Sequence, residues 1–228
     1  MINSKDSKFR KPRIWSNKEL KKFSRFFYGK SLNVSGWQDK DKEGSTYYEK
    51  YFYNCKEYYI SNFKKSMRGF QGNLKNEFYL DLINTKLENK ENYFDIVFNH
   101  TTLEHIFEID LAFKNLSKLT KDILIVVVPF LQEEHGDYGD YWRFTPQSIL
   151  KLYEKNNLKL SYLSYNDNDN ESIYIFAVGS KNLQTHYKLS GINGNKVNNI
   201  GNKLIGTKII TNSYIKKIIL FFKSKYGF

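Results

Sequence analysis

An α/β fold is what this sequence predicts: a mostly parallel sheet with helices on both faces and an antiparallel final strand pair. Three observations predict it. Residues 94–99 and 123–128 are short runs apolar on both faces, the second made only of branched aliphatics and followed by Pro129. Such runs read as strands buried in a parallel sheet. Between them Leu103, Ile106, Phe107, Leu111, Phe113, Leu116 and Leu119 recur at spacings near three and four, the buried stripe of an amphipathic helix. Strand, helix and strand make a right-handed crossover, and ligands of such sheets sit beyond the carboxyl ends of the strands. Finally, residues 158–165 and 172–178 are alternating or apolar runs either side of the polar NDNDNE, a hairpin pattern.

In order along the chain, residues 1–16 are basic and without apolar period. A helix follows from Asn17, with Leu20, Phe23, Phe26, Phe27 and Tyr28 on one face, Ser16 or Asn17 as N-cap and an end near Gly29. It is expected to cover the sheet edge. Residues 31–34 (SLNV) read as a first strand running into Ser35-Gly36-Trp37, residues 39–54 as the next helix, and residues 57–60 as a second strand ending at Ser61-Asn62. A Gly-containing loop spans 64–75, a third strand spans 78–82 (FYLDL), and 84–92 is a weak helix or loop. After the strand at 123–128 comes a loop dense in titratable and aromatic groups, Gln132 to Arg143. Loops on a rigid scaffold carry function disproportionately. Thr145 and Pro146 then open a helix as N-cap and N1, with Ile149, Leu150, Leu152 and Tyr153 on its face. Residues 181–207 read as a linker. From Ile209 to the final Phe228, apolar residues at helical spacing alternate with lysines, a basic amphipathic helix that suits a membrane surface, a protein partner or its own domain.

The chain divides on this reading into a basic extension with a helix (1–30), a central domain (31–180) and a basic tail (181–228). The net charge of +12 is unevenly spread. Residues 1–30 hold ten Lys/Arg against Asp6 and Glu19, residues 181–228 hold nine Lys and no acid, and the middle is acidic. Basic ends favour an anionic partner or surface, although abundant Lys, Asn, Ile, Tyr and Phe is also the imprint of an AT-rich coding sequence. The acidic centre argues against a nucleic-acid substrate. No run approaches the roughly 18 apolar residues of a membrane span, and the first residues lack the apolar core of a signal peptide. The expected location is cytoplasmic, with contact at the inner membrane face as the role open to the tail. Cys55 is the single cysteine. His100 and His105 are five apart and His135 stands with carboxylates, so no metal site is expected.

The string FDIVFNHTTLEHI, its helix and the strand ending in Pro-Phe resemble strands four and five of class I S-adenosylmethionine (SAM) methyltransferases. The segment HGDYGDYWRFTPQSILKLYEKNNL is similar to one in small members encoded in bacterial surface-polysaccharide clusters. The resemblance spans about residues 31–180. It implies a Rossmann-like sheet and SAM as cofactor. Its glycine loop, G-x-G-x-G, would fall on Ser35, Trp37 and Asp39, with Gly36 out of step. By resemblance the cofactor is held by Val34, Ser35, Gly36, Trp37, Asn62 (where an acidic residue usually takes the ribose hydroxyls), Asp81 and Leu82 (adenine), Asn99, His100, Thr101 and His105. Glu104 and His105 start the helix and shape the cofactor pocket.

Methyl transfer to a hydroxyl needs alignment and a base. His135 is the expected base, with Asp137 or Asp140 to orient it; the alternative is a surface histidine. Tyr138, Tyr141 and Trp142 are expected to meet the substrate and Arg143 to pair with a phosphate. Equally open is a structural role, Trp142 anchoring the loop and Arg143 bonding backbone carbonyls. The expected function is O-methylation of a sugar or sugar-linked phosphate of a glycan precursor. The alternative is a catalytically degenerate subunit supporting a partner enzyme.

Overall fold

The computed structural model describes residues 6–41, 46–64, 69–84, 87, 89–136, 139–166 and 171–192, with Ile218, Phe221 and Phe222. Seven strands, β1 (Gly29–Val34), β2 (Cys55–Asn62), β3 (Glu77–Tyr79), β4 (Phe94–His100), β5 (Thr120–Leu131), β6 (Lys159–Tyr165) and β7 (Ile173–Ser180), form one sheet in the order β3-β2-β1-β4-β5-β7-β6. β1 to β5 pair in parallel, and β7 runs antiparallel to both β5 and β6. The order reverses between β1 and β4, which opens the crevice where such sheets take ligands.

β5 shows why the sheet is buried on both sides. Leu124, Val126 and Val128 face one core layer, and Ile123, Ile125 and Val127 face the other, the period of two that a pleated strand imposes. The first layer is completed by α2 (Ile109–Leu119) and α3 (Pro146–Lys155) through Phe113, Leu116, Ile149 and Tyr153. The second is completed by α1 (Lys11–Phe23) and α4 (Leu183–Ser190) through Leu20, Phe23 and Leu189. Thr145 is the N-cap of α3 with Pro146 in its first turn, as the sequence predicts, and it also closes a capping box with Ser148.

Several expectations are corrected. The first helix begins at Lys11, so Ser16 and Asn17 lie within it, both buried, and the helix packs on the sheet face. No α-helix forms over the described part of 39–54: a bridge joins Lys40 to Tyr47 and a 3-10 turn covers Tyr48–Phe52. Tyr48 and Phe52 press their rings on Phe98, at 5.2 and 6.0 Å, and burying these adjacent aromatics suits a tight turn. β3 is shorter than expected. In the crossover the buried stripe omits Phe107 and Leu111, 63% and 39% exposed. Pro129 does not end β5, because β4 pairs only as far as Val127. Beyond that point β5 has β7 alone beside it, and a proline is tolerated at such an edge. The supposed linker begins with α4, capped by Asn182, whose side chain accepts from the backbone N–H groups of Gln184 and Thr185. The helix expected from Ile209 lies outside the described residues, apart from Ile218, Phe221 and Phe222, which are helical and exposed. Among the described residues no helix is long and apolar enough to cross a membrane.

Candidate active site

At the carboxyl end of β1 the backbone turns left-handed at every second residue: φ is 57° at Ser35, 51° at Trp37 and 59° at Asp39. L-residues resist this conformation by roughly 1–2 kcal/mol each, so tertiary bonds must impose it. The Asp39 carboxylate, buried, accepts from Asn33 Nδ2 (2.8 Å), Tyr58 Oη (2.6 Å) and the Glu49 N–H (3.1 Å). Burial raises its pKa, opposed by those three donors. The Trp37 N–H donates to Asn62 Oδ1 at 2.7 Å, and Asn62 Nδ2 returns a bond to Trp37 O at 3.1 Å. Gly36 stays a glycine for lack of room, since a Cβ there would lie 2.6 Å from Asn33 Nδ2 and 3.2 Å from Ile60 Cγ2. Ser35→Gly is therefore expected to stabilise the protein, by up to about 1 kcal/mol, read as a higher denaturation midpoint.

Asn62 does not present its amide as the sequence suggested. Buried at the end of β2, it binds the Trp37 backbone both ways and donates to Glu77 Oε1 at 2.7 Å. Its work is to position the loop. Glu77 in turn accepts the N–H groups of Gln71, Gly72 and Asn73 at 3.2, 2.9 and 3.1 Å. Burial raises the Glu77 pKa, but the Asn62 amide and these N–H groups outweigh it and hold the group below the ordinary glutamate range. A depressed carboxyl pKa stabilises above the unfolded value, near 4.3, and that stability is lost as pH falls through the folded one. Protection of the amides of residues 71–74, taken relative to the slower intrinsic exchange in acid, is thus expected to fall below about pH 4, and in Glu77→Gln to be low already at neutral pH. Asp81 forms a local turn, accepting from the Ile83 N–H and Asn84 Nδ2 at 2.8 and 3.0 Å, and Leu82 is buried.

The end of β4 meets β1 on one side and α1 above. Asn99 Nδ2 donates to Val34 O at 3.3 Å, while Asn99 Oδ1 and the nearby Ser61 Oγ at the end of β2 are buried without a hydrogen bond. His100 lies 2.8 Å from Ser16 Oγ, and Arg13 donates to Thr101 Oγ1 at 3.3 Å. Thr101 itself has φ 48° and bonds its N–H to Val127 O. Lys8 pairs with Glu133, and the Phe9 ring sits 5.3 Å from that of His135. The amino-terminal helix thus roofs the ends of β4 and β5, which the sequence did not show.

The loop after β5 is tied down by Arg143. All five of its N–H donors are used, on Gln132 O, Trp142 O, Glu133 O and, bidentately at 2.6 Å, the Asp140 carboxylate. None remains for a substrate phosphate, so Arg143 is a staple. Trp142 packs on the core and donates Nε1–H to Ile106 O at 3.0 Å. Tyr141 stays exposed, edge-on to Phe107 at 5.5 Å. Asp140, its side chain 2% exposed, accepts the His135 N–H at 2.7 Å. Burial raises the Asp140 pKa, but Arg143 and that N–H pull it down to about 2. Asp137 and Tyr138 lie outside the described residues.

Glu104 and His105, expected to shape the cofactor pocket, meet here with His135, the expected base. The Glu104 carboxylate is fully buried, and neither oxygen has a hydrogen bond. Burial pushes its pKa up to about 8, against the pull of its own backbone N–H, which lies near it without hydrogen-bond alignment, and of Arg13 and Arg143. His105 Nδ1–H donates to Gly139 O at 2.5 Å, and burial lowers its pKa. The His135 ring stands edge-on to it with centroids 5.2 Å apart. Arg13 and Ser16 had no functional place in the sequence reading, and Glu104, from its position in the Leu-Glu-His triplet, was expected only to start the helix and shape the cofactor pocket.

No protein-family model and no curated protein sequence matches the chain. Solved structures do match in fold. The 1,6-didemethyltoxoflavin-N1-methyltransferase of Burkholderia thailandensis, bound to 1,6-didemethyltoxoflavin and S-adenosylhomocysteine, aligns with TM-score 0.53 at 9% identity, over 76% of this chain and 79% of that one. Magnesium protoporphyrin IX methyltransferase of Synechocystis PCC 6803 with bound SAM aligns with TM-score 0.51 at 10% identity, over 75% and 79%. A candidate methyltransferase of Bacillus halodurans C-125 aligns with TM-score 0.52 at 12% identity, over 72% and 99%. The fold is the Rossmann-like methyltransferase fold, its final strand pair antiparallel.

Proposed function

We propose that the chain is a SAM-dependent methyltransferase acting on a hydroxyl of a carbohydrate or sugar-linked phosphate precursor. The observation that carries the cofactor half is the loop after β1. Its left-handed backbone falls at positions 35, 37 and 39, where methyltransferases of the resembling family place glycines. The neighbouring Asn99 Oδ1 and Ser61 Oγ, buried and unbonded, are polar atoms suited to a ligand. Val34, Ser35, Gly36 and Trp37 would hold the methionine part, Asp81 and Leu82 the adenine, and Asn99, His100, Thr101 and His105 the far wall. SAM supplies a methyl group on a sulfonium. With SAM bound, the chain's residues would align the acceptor hydroxyl and take its proton. Alignment alone can supply roughly 7–11 kcal/mol. His135 would receive the proton; Asp140 Oδ2 lies 3.2 Å from its Nδ1, without the alignment of a hydrogen bond.

The carbohydrate half rests on the resemblance of the segment from His135 onward, with Tyr141 and the Trp142 edge as stacking surfaces. Isothermal titration with SAM and S-adenosylhomocysteine tests the cofactor half. Saturable one-site binding is expected, and no heat at about 1 mM, a binding free energy weaker than roughly 4 kcal/mol, would remove it. Transfer of labelled methyl to nucleotide sugars tests the other half. One observation favours the rival, a degenerate subunit serving a partner: Asn62 is committed to the Trp37 backbone. Under that reading the chain binds no SAM and co-purifies with an active methyltransferase.

A further inference from the structure

We infer that Glu104, His105 and His135 form a binding site for a divalent first-row transition cation, Zn²⁺, Fe²⁺ or Mn²⁺, at the mouth of the proposed active site. One ligand atom from each lies within 4.8 Å of the other two. Ligands held tetrahedrally at Zn²⁺ distances stand about 3.4 Å apart, and His105 Nε2 is already 3.8 Å from Glu104 Oε1.

Two features mark a built site. The first is Glu104, a carboxylate with no exposed side-chain surface and no hydrogen bond to either oxygen. A buried carboxylate left so is costly unless a proton or a cation compensates it. Its own backbone carbonyl is meanwhile taken by the Tyr141 and Trp142 N–H groups, so the side chain is held in place from behind. The second is the tautomer of His105. A carbonyl only accepts, so the contact with Gly139 O fixes the proton on Nδ1 and puts the ring's lone pair on Nε2, toward Glu104. This is the outer-shell bond that orients metal-binding imidazoles. Gly139 has φ 99°, and a Cβ there would strike the Tyr141 ring at 2.7 Å, so that carbonyl is fixed in turn. His135 Nδ1 is buried and out of line for a hydrogen bond with Asp140, although 3.2 Å away. Arg13, Arg143 and Asp140 are the other charges near the set. Arg143 is spent on Asp140, and Arg13 makes no hydrogen bond to Glu104 among those found. Two imidazoles and one carboxylate suit borderline cations rather than Ca²⁺ or Mg²⁺.

The site stands on its own geometry, and its use rests on the methyl-transfer reading. Three protein ligands leave a coordination position open. There an acceptor hydroxyl would lose its proton to solvent more readily, and His135 would serve as ligand in place of base. Tag-free protein stripped with chelator and titrated with Zn²⁺ and with Mn²⁺ should take up one equivalent, and Co²⁺ should give visible absorption bands of nitrogen ligation. Glu104→Gln and His135→Asn should each weaken uptake at least about 100-fold, with folding confirmed by circular dichroism. No saturable one-equivalent uptake of any of the three ions by the wild type overturns the site, as does equal uptake by both folded variants. SAM titrated into the same samples separates the two readings: cation without SAM keeps the site and drops methyl transfer, and SAM without cation does the reverse.

Discussion

The Gly36→Val substitution is expected to destabilise the protein by about 1–3 kcal/mol and to abolish SAM binding. The first atom of the new side chain would meet Asn33 Nδ2 at 2.6 Å and Asn33 Cγ at 2.9 Å. Asn33 cannot yield cheaply, because it is buried and donates to Asp39 at 2.8 Å, and Asp39 is one of the residues held left-handed. Displacing Asn33 therefore releases the constraint that keeps the loop in its unusual form. A thermal melt reads the stability loss at about 2–4 °C per kcal/mol, and titration reads the binding. Full SAM affinity in a folded Gly36→Val protein would mean that the loop is not the cofactor's cradle.

Arg143→Ala should be the most damaging change in the loop after β5, at about 3–5 kcal/mol or roughly 10 °C in Tm. It strands the Asp140 carboxylate, whose side chain is 2% exposed, and removes the donors that hold Gln132 and Glu133. Arg143→Lys should recover only a part, because an ammonium cannot reproduce the planar fork that meets both carboxylate oxygens. The two sequence-level possibilities for this residue separate in the same experiment. A phosphate clamp would leave the melt unchanged and weaken only substrate affinity, whereas a staple lowers the melting point with no substrate present.

How far the sequence carried depends on whether a feature is local. The strands were readable because burial on both faces writes an unbroken apolar run, as in β5, and the start of α3 was readable because its N-cap Thr145 and Pro146 are adjacent residues. The start of α1 was misplaced for the opposite reason. Ser16 looks like a cap, but its hydroxyl lies against His100, far along the chain. The stretch after the first loop was read as helix because its polar residues suit one, and the rings of Tyr48 and Phe52 decided otherwise against Phe98. In the site, the loop from Gln132 to Arg143 stood out by composition. That Glu104 and His105 lie beside His135 follows only from the adjacency of β4 and β5, and no spacing along the chain encodes it. The three left-handed residues carry a subtler lesson. A backbone shape usually ascribed to glycine is here imposed by Asp39 and Asn62, side chains whose roles appear only when their partners are known.

The roof made by α1 and the residues just before it has a consequence for how a substrate arrives. Arg13, Ser16 and Phe9 reach over Thr101, His100 and His135, so the doorway and the opening segment of the polypeptide are one object. A substrate reaching His135 must therefore pass beside side chains that belong to the roof and not to the sheet.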